Sequence, residues 1–265
     1  MRPKHHRRNR IARDILTGMM TITIRLSAII LALLLLSPVA SAADTPLSLT
    51  TGMREPWTTE HRDGFTDLLI EALAKRTGMA MTLSVNPAAA RAISLTNDGI
   101  DDGLAARIGG LEKDYPNLVQ VPEPIFVNDF VACTNAATPR IRTWADLAPF
   151  SVAHIIGWQI FERNLPSVRE LTTSRDSRQL VQLLQNARAD IILHERWQAL
   201  WQARQLNHSL TVQEPPLAQV PMYLYLHKRH AALVPILSAE LVAMKADGSH
   251  KSLQDKAFSH IHPGR

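Results

Sequence analysis

The chain predicts an α/β fold of two similar lobes, each a mostly parallel sheet flanked by helices, joined by two hinge crossings. Three observations carry this expectation. One helix runs out in Asp98-Gly99-Ile100-Asp101-Asp102 and another in Asn186-Ala187-Arg188-Ala189-Asp190, each followed by an apolar run. The copies stand 88 residues apart, counted from Asp102 to Asp190. Five residues past each of these Asp residues sits a charge, Arg107 in the first copy and Glu195 in the second. A helix, a turn and an Asp-led strand used twice, with one charged strand end each, suggest two lobes around a binding cleft.

Residues 1–42 read as an export signal and are set aside before the fold is considered. Seven basic residues, from Arg2 to Arg25, surround a single acid, Asp14; Leu26 to Leu36 is apolar, and Ala40-Ser41-Ala42 offers small residues for cleavage. Eleven apolar residues are too few for an ordinary membrane span, although an uncleaved anchor is the alternative, and Met19 or Met20 are alternative starts. The leader holds +6 of a net charge of +5, so the remaining 223 residues carry about −1. A nucleic-acid partner, which needs a basic face on the folded domain, loses its support. Cys133 is the only cysteine, so no internal disulfide can form.

Taken in order, Leu47 to Thr51 alternates as a first strand ended by Gly52. Gly64 then leads into a helix with Phe65, Leu68, Leu69, Ala72 and Leu73 on one face, stopped by Gly78. Met79 to Val85 is a second strand, which makes a parallel βαβ unit. A helix after Pro87 carries Arg91 towards Gly99, and Asp102 to Ala106 is the third strand. Asn117 to Ile125 is extended, Phe130 to Thr134 is a strand, and the polar 135–143 connection is the expected first crossing. Trp144 to Leu147 is a helical turn, Ser151 to Ile156 a strand, Gln159 to Asn164 a helix, Val168 to Leu171 a strand and Ser174 to Ala187 a helix. Asp190 to Leu193 is the strand leading to Glu195, and Trp197 and Trp201 share a helical face. Pro215, Pro216 and Pro221 mark the return crossing before a Met222 to Leu226 strand. Helices from Leu233 to Ala246 and from Ser249 to His260 close the chain.

Ligands of open α/β sheets settle beyond the carboxyl ends of the strands, where the equal offsets put Arg107 and Glu195. A guanidinium offers a planar fork to a carboxylate and a carboxylate receives an ammonium, so the pair is suited to a zwitterion; the alternative is that they bridge each other or local backbone groups. A charge-assisted hydrogen bond contributes about 1.5–3 kcal/mol, whereas micromolar affinity needs about 8 kcal/mol, so enclosure and stacking must supply the rest. Trp57 after the first strand, Trp158 after Gly157 and Arg91 near a helix start are the further candidates, each weighed against a packing or solvated role. His227-Lys228-Arg229-His230 and His260-Ile261-His262 make weak metal candidates without spaced partners. No nucleophile elbow, zinc-protease helix or phosphate loop occurs, and no cofactor is called for.

Pro56-Trp57, Gly64-Phe65 opening a helix to Gly78, the Gly99-x-x-Asp102 turn, Asp146-Leu147 before the Ser151 strand and Gly157, Asp190 with Glu195, and Lys245-Ala246-Asp247-Gly248 follow one order. In that order the chain resembles the extracellular solute-binding proteins of family 3, which have the two-lobed, type II periplasmic-binding-protein-like fold. The resemblance implies a periplasmic, monomeric receptor for a small polar or zwitterionic, amino-acid-like solute, partnered by an ABC permease in the inner membrane. It implies residues 43–134 and 222–265 for one lobe and 135–221 for the other, Trp57 as the aromatic over the ligand, and Glu195 as the acid for a ligand ammonium. The family's Thr-x-x-Arg carboxylate clamp is missing, since the chain reads Ile108-Gly109-Gly110-Leu111-Glu112-Lys113-Asp114, and Arg107 stands as its substitute. Two other readings stay open: a dehydratase-like enzyme with Glu195 as general acid or base, and a sensory module without a transporter.

Overall fold

The computed structural model describes residues 45–86, 88–136 and 139–261; the export-signal reading falls outside the described residues. The first half is a β-α-β-α-β run, β1 (Leu47–Thr51), α1 (Phe65–Thr77), β2 (Met81–Val85), α2 (Ala89–Asn97) and β3 (Gly103–Ile108). Phe65, Leu68, Leu69 and Leu73 turn α1's apolar face inward, as the periodicity predicts, and Gly78 ends the helix in the left-handed conformation at φ 72°. Then come β4 (Leu118–Gln120) and the long β5 (Phe126–Thr134), followed by a second run of β6 (Ser151–Ile155), α3 (Gln159–Asn164), β7 (Glu170–Ser174), α4 (Ser177–Gln185) and β8 (Ile191–Glu195). The last elements are α5 (Arg196–Gln205), β9 (Thr211–Val212), β10 (Ala218–His227), α6 (Val234–Ala246) and α7 (Ser249–Phe258).

Some boundaries differ from the sequence reading. The strand expected at 168–171 lies at Glu170–Ser174, because it pairs in parallel with β6 from Ser151↔Glu170 to Ile155↔Ser174. The helix expected from Ser174 begins three residues later, because Asp176 caps it by accepting from the Gln179 N–H at 2.8 Å.

The ten strands form one sheet ordered β2-β1-β3-β10-β5-β8-β6-β7, with β4 on β10 and β9 on β5. β1 pairs in parallel with β2 and β3, and β6 in parallel with β7 and β8, so the two runs occupy corresponding places about the central β10–β5 pair. Their ends are tied alike. Asp102 accepts from the Ser48 N–H at 2.8 Å and the Ser48 hydroxyl at 2.9 Å; Asp190 accepts from the Ser151 N–H at 2.9 Å and the Ser151 hydroxyl at 2.8 Å. Each Asp N–H returns a bond of 3.0 Å to the carbonyl of the same Ser, and an arginine, Arg229 or Arg169, pairs with each carboxylate. The repeated Asp in the sequence is therefore a lock between the first and third strands of each run.

The chain passes from the first run's core to the second's within β5. Phe126 packs with Trp57, Phe65, Leu69 and Met222, while Val131 and Cys133 pack with Leu180, Leu184 and Ile192. The passage thus lies in a strand, ahead of the polar connection where the sequence suggests it. β10 runs antiparallel beside it, from Ala218↔Phe130 to Met222↔Phe126. Among the described residues no helix is long and apolar enough to cross a membrane.

Candidate functional site

The carboxyl ends of β1 and β6, equivalent strands of the two runs, both line one cleft of about 710 Å³. Gly52, Met53 and Arg54 follow β1; Ile155, Ile156, Gly157 and Trp158 follow β6. Asn128 and Phe130 come from β5, and Arg175, Asp176 and Ser177 from the start of α4. This is the strand-end position that open α/β sheets offer to ligands.

Arg107 stands behind Gly52. A Cβ added at Gly52 would lie 3.0 Å from Arg107 Nη1 and 3.3 Å from Nη2, so the guanidinium sits in close contact with this wall. Its Nε and Nη2 are buried without a hydrogen-bond partner among the described residues, and burial pushes its pKa down; a guanidinium keeps its charge regardless. The backbone pays to put it there. From Arg107↔Tyr223 to Leu104↔Tyr225, β3 spends one residue more than β10, and Ala106 takes up the excess at φ 61°. This is a bulge with a left-handed residue, which re-aims the side chain that follows. Asn128, 4% exposed, also has an unpartnered atom, Oδ1.

On the opposite run, Trp158 lies flat against Phe161 (5.8 Å, 2°) and edge-on to Phe130 (6.1 Å, 85°) and His194 (4.9 Å, 89°). The fully buried His194 has its pKa lowered by burial to about 3 and is neutral. The Glu195 N–H donates to its Nδ1 at 2.7 Å, so the ring proton is on Nε2, which is 2.7 Å from the Ser177 hydroxyl. His194 therefore donates to Ser177 and leaves the hydroxyl proton free to point elsewhere.

Two predicted site residues lie inside the molecule and away from the cleft lining. Glu195 is fully buried and does not line the cleft: its carboxylate caps α5, accepting from the Trp197 N–H at 3.1 Å, the Gln198 N–H at 3.0 Å and the Trp57 indole N–H at 2.9 Å. Trp57 is likewise fully buried, stacked on Phe126 at 3.9 Å and edge-on to Phe65 and Phe258. Equal counts from Asp102 and Asp190 do not produce equal facing, because β3 holds the extra residue and β8 does not. Arg91 is exposed on α2 and away from the cleft lining. Of the predicted residues, Trp158 lines the cleft, and Arg107 lies behind Gly52 of its wall. Gly52, Arg54, Asn128, Arg175 and Ser177 escape a reading of motifs, and only Gly52, read as a strand end, carries any signal. Cys133 is buried with its thiol pushed up to about 12, and among the described residues no cluster suited to a metal occurs.

No protein-family model matches the chain, and no curated protein matches it in sequence. Solved structures do match in fold. The GluR0 ligand-binding core complexed with L-glutamate superposes at a TM-score of 0.68 with 15% identity, over 83% of this chain and all of that one. The substrate-binding protein of an amino acid ABC transporter gives 0.61 and 18%, over 81% and 100%. An ancestral amino-acid-binding protein described as a precursor of cyclohexadienyl dehydratase gives 0.62 and 20%, over 80% and 95%. At these identities the likeness establishes the architecture alone: this chain has the two-lobed, type II periplasmic-binding-protein-like α/β fold.

Proposed function

We propose that the protein is a solute receptor of the periplasm, exported by the leader at 1–42, that captures a small polar solute in the cleft between its lobes and delivers it to an ABC permease. The lobes would be built from 43–134 with 222–265 and from 135–221, with the end of β5 from Val131 packed into the second, acting as a monomer and closing by bending in β5 and β10. The supporting neighbours are ligand-binding cores and transporter substrate-binding proteins. The observation that carries the reading is Arg107, whose Nε and Nη2 are buried behind Gly52 in the cleft wall without a partner among the described residues. Leaving buried donors unmade costs about 1–3 kcal/mol, a cost that a bound anionic group offsets.

The enzyme reading is less well supported. Its general acid or base, Glu195, is held by three N–H donors inside the molecule and does not line the cleft.

Mass spectrometry of small molecules released from the purified protein tests the receptor reading. A solute should accompany the wild type and be absent from Arg107→Met. Equal recovery from both proteins would remove Arg107 from the site.

A further inference from the structure

Resting on the receptor reading, we infer that Ser177 is a contact residue of the cleft that donates its hydroxyl proton to an anionic oxygen of the solute, and that His194 is the positioning residue that holds this hydroxyl as a donor. No motif in the sequence marks either residue.

The direction of each hydrogen bond follows from one that cannot be reversed. A backbone N–H only donates, and that of Glu195 meets His194 Nδ1 at 2.7 Å, so Nδ1 carries the lone pair. His194 is fully buried and neutral, its pKa held down by desolvation, which leaves its single ring proton on Nε2. Nε2 lies 2.7 Å from Ser177 Oγ, and the hydroxyl is therefore the acceptor of that bond. Its own proton remains to be given, and no acceptor for it occurs among the described residues. His194 does not itself line the cleft: Trp158 stands edge-on against its ring at 4.9 Å, and Trp158 and Ser177 form the wall in front of it. Ser177 is thus where the imidazole acts on the cleft. A serine placed only to satisfy a buried imidazole N–H would need its oxygen and no unspent proton at a cleft wall.

The surroundings set the charge of what the proton meets. Arg175 belongs to the same turn, and Arg54, from the loop after β1, lines the same space. Ser177 is the first residue of α4, whose N-terminal N–H groups favour negative charge. The carboxylate of this turn, Asp176, has Oδ1 engaged by the Gln179 N–H. The cleft also offers acceptors. Asn128 on β5 is 4% exposed and lines it with Oδ1 unpartnered among the described residues, so a donor group on the same solute has its own place. Ser177 and Asn128 together orient a polar solute by its acceptor end and its donor end.

Calorimetric titration of the purified protein with the common L-amino acids, each paired with the amine that lacks its carboxylate, tests this. The amino acid that binds the wild type most tightly is carried, with its amine, into the variants. Ser177→Ala should weaken the amino acid about ten-fold or more and leave the amine, weaker from the outset, unchanged. Ser177→Thr, which keeps the hydroxyl, should bind like the wild type. His194→Leu should weaken the amino acid when Ser177 is present and add nothing to Ser177→Ala, because it acts through that hydroxyl; a loss in both backgrounds would show a merely structural histidine and overturn its positioning role. Nitrogen NMR of the wild-type imidazole needs no variant, and a proton found on Nδ1 would overturn the relay. Amino-acid affinity unaltered in Ser177→Ala, or the same loss for amine and amino acid, would overturn the inference and leave the receptor reading standing. Should the purified wild type release another small molecule, that compound replaces the probe, and one without an anionic oxygen would overturn the inference. If no probe binds and no small molecule is released, both readings fall.

Discussion

Glu195 and His194, neighbours on β8, are both fully buried and titrate in opposite senses. Burial raises the Glu195 carboxyl to about 7, against the lowering effect of N–H donors from Trp57, Gln198 and Trp197, with the charge of Asp129 adding to the rise. Between about 4.5 and 7 the folded state then binds a proton that the unfolded state has released, so this stabilising contribution is present below 4.5 and lost as pH rises through 7. His194, lowered to about 3 from 6.5, does the reverse: the unfolded state takes the proton first, and stability is lost as pH falls from 6.5 towards 3. The two contributions oppose each other in their common window. Comparison with Glu195→Gln separates them: relative to that variant, the wild type should lose a few kcal/mol of stability between pH 4.5 and 7, at about 1.4 kcal/mol per pKa unit. Urea denaturation across this range reads the difference, and a constant gap between the two proteins would contradict the buried-acid account. Arg107 makes the complementary case, in which a group is kept at the expense of the empty protein. Arg107→Met should raise the stability of the ligand-free protein by about 1–3 kcal/mol, since it removes two buried donors that nothing accepts, while abolishing the stabilisation conferred by ligand. Thermal unfolding with and without ligand checks both halves.

At the level of single elements, the bulge in β3 decides where a charge goes. Ala106 is held at φ 61° with no exposure to solvent, and a left-handed residue with a Cβ costs about 1–2 kcal/mol. Ala106→Val should destabilise the fold by about 2 kcal/mol or more, because a branched side chain fits neither that backbone nor the closed core around it. Ligand binding should fall with it, as Arg107 follows directly in the chain; denaturant unfolding and calorimetry give the two numbers. Much of each element is legible beforehand. The α1 periodicity from Phe65 to Leu73 and the stop at Gly78 are local signals, and the structure agrees. The bulge is not, because it arises from the pairing of β3 with β10, which begin more than a hundred residues apart in the chain, and nothing in Ala105-Ala106-Arg107 announces it.

Across the whole molecule, β5 and β10 pass between the two cores while α5 packs against both. Trp197, Leu200 and Trp201 of α5 pack against the core that holds Trp57, Phe65 and Phe258; Trp197 stacks on Phe258 at 4.3 Å, and Trp57 donates across to Glu195. Ala199 and Ala203 of the same helix pack into the core of the second run. The closure proposed above would pivot there, with strands flexing beside a helix packed against both cores. Small-angle scattering should show a smaller radius of gyration when ligand is added to the wild type and no change for Arg107→Met, whose cleft lacks the group that rewards closing. An unchanged radius in a wild type that demonstrably binds would rule out hinge closure.

The sequence by itself determined the duplicated β-α-β-α-β plan, because its signals are local: apolar periodicity, turn glycines and the repeated Asp that leads each third strand. It also placed Arg107 and Trp158 near strand ends, where ligands gather. Which charges face the cleft was decided only by tertiary structure. Facing depends on the register between strands distant in the chain, and after the extra residue in β3 Arg107 lies against Gly52 in the cleft wall, while β8, without one, turns Glu195 into the interior to cap α5 and accept from Trp57.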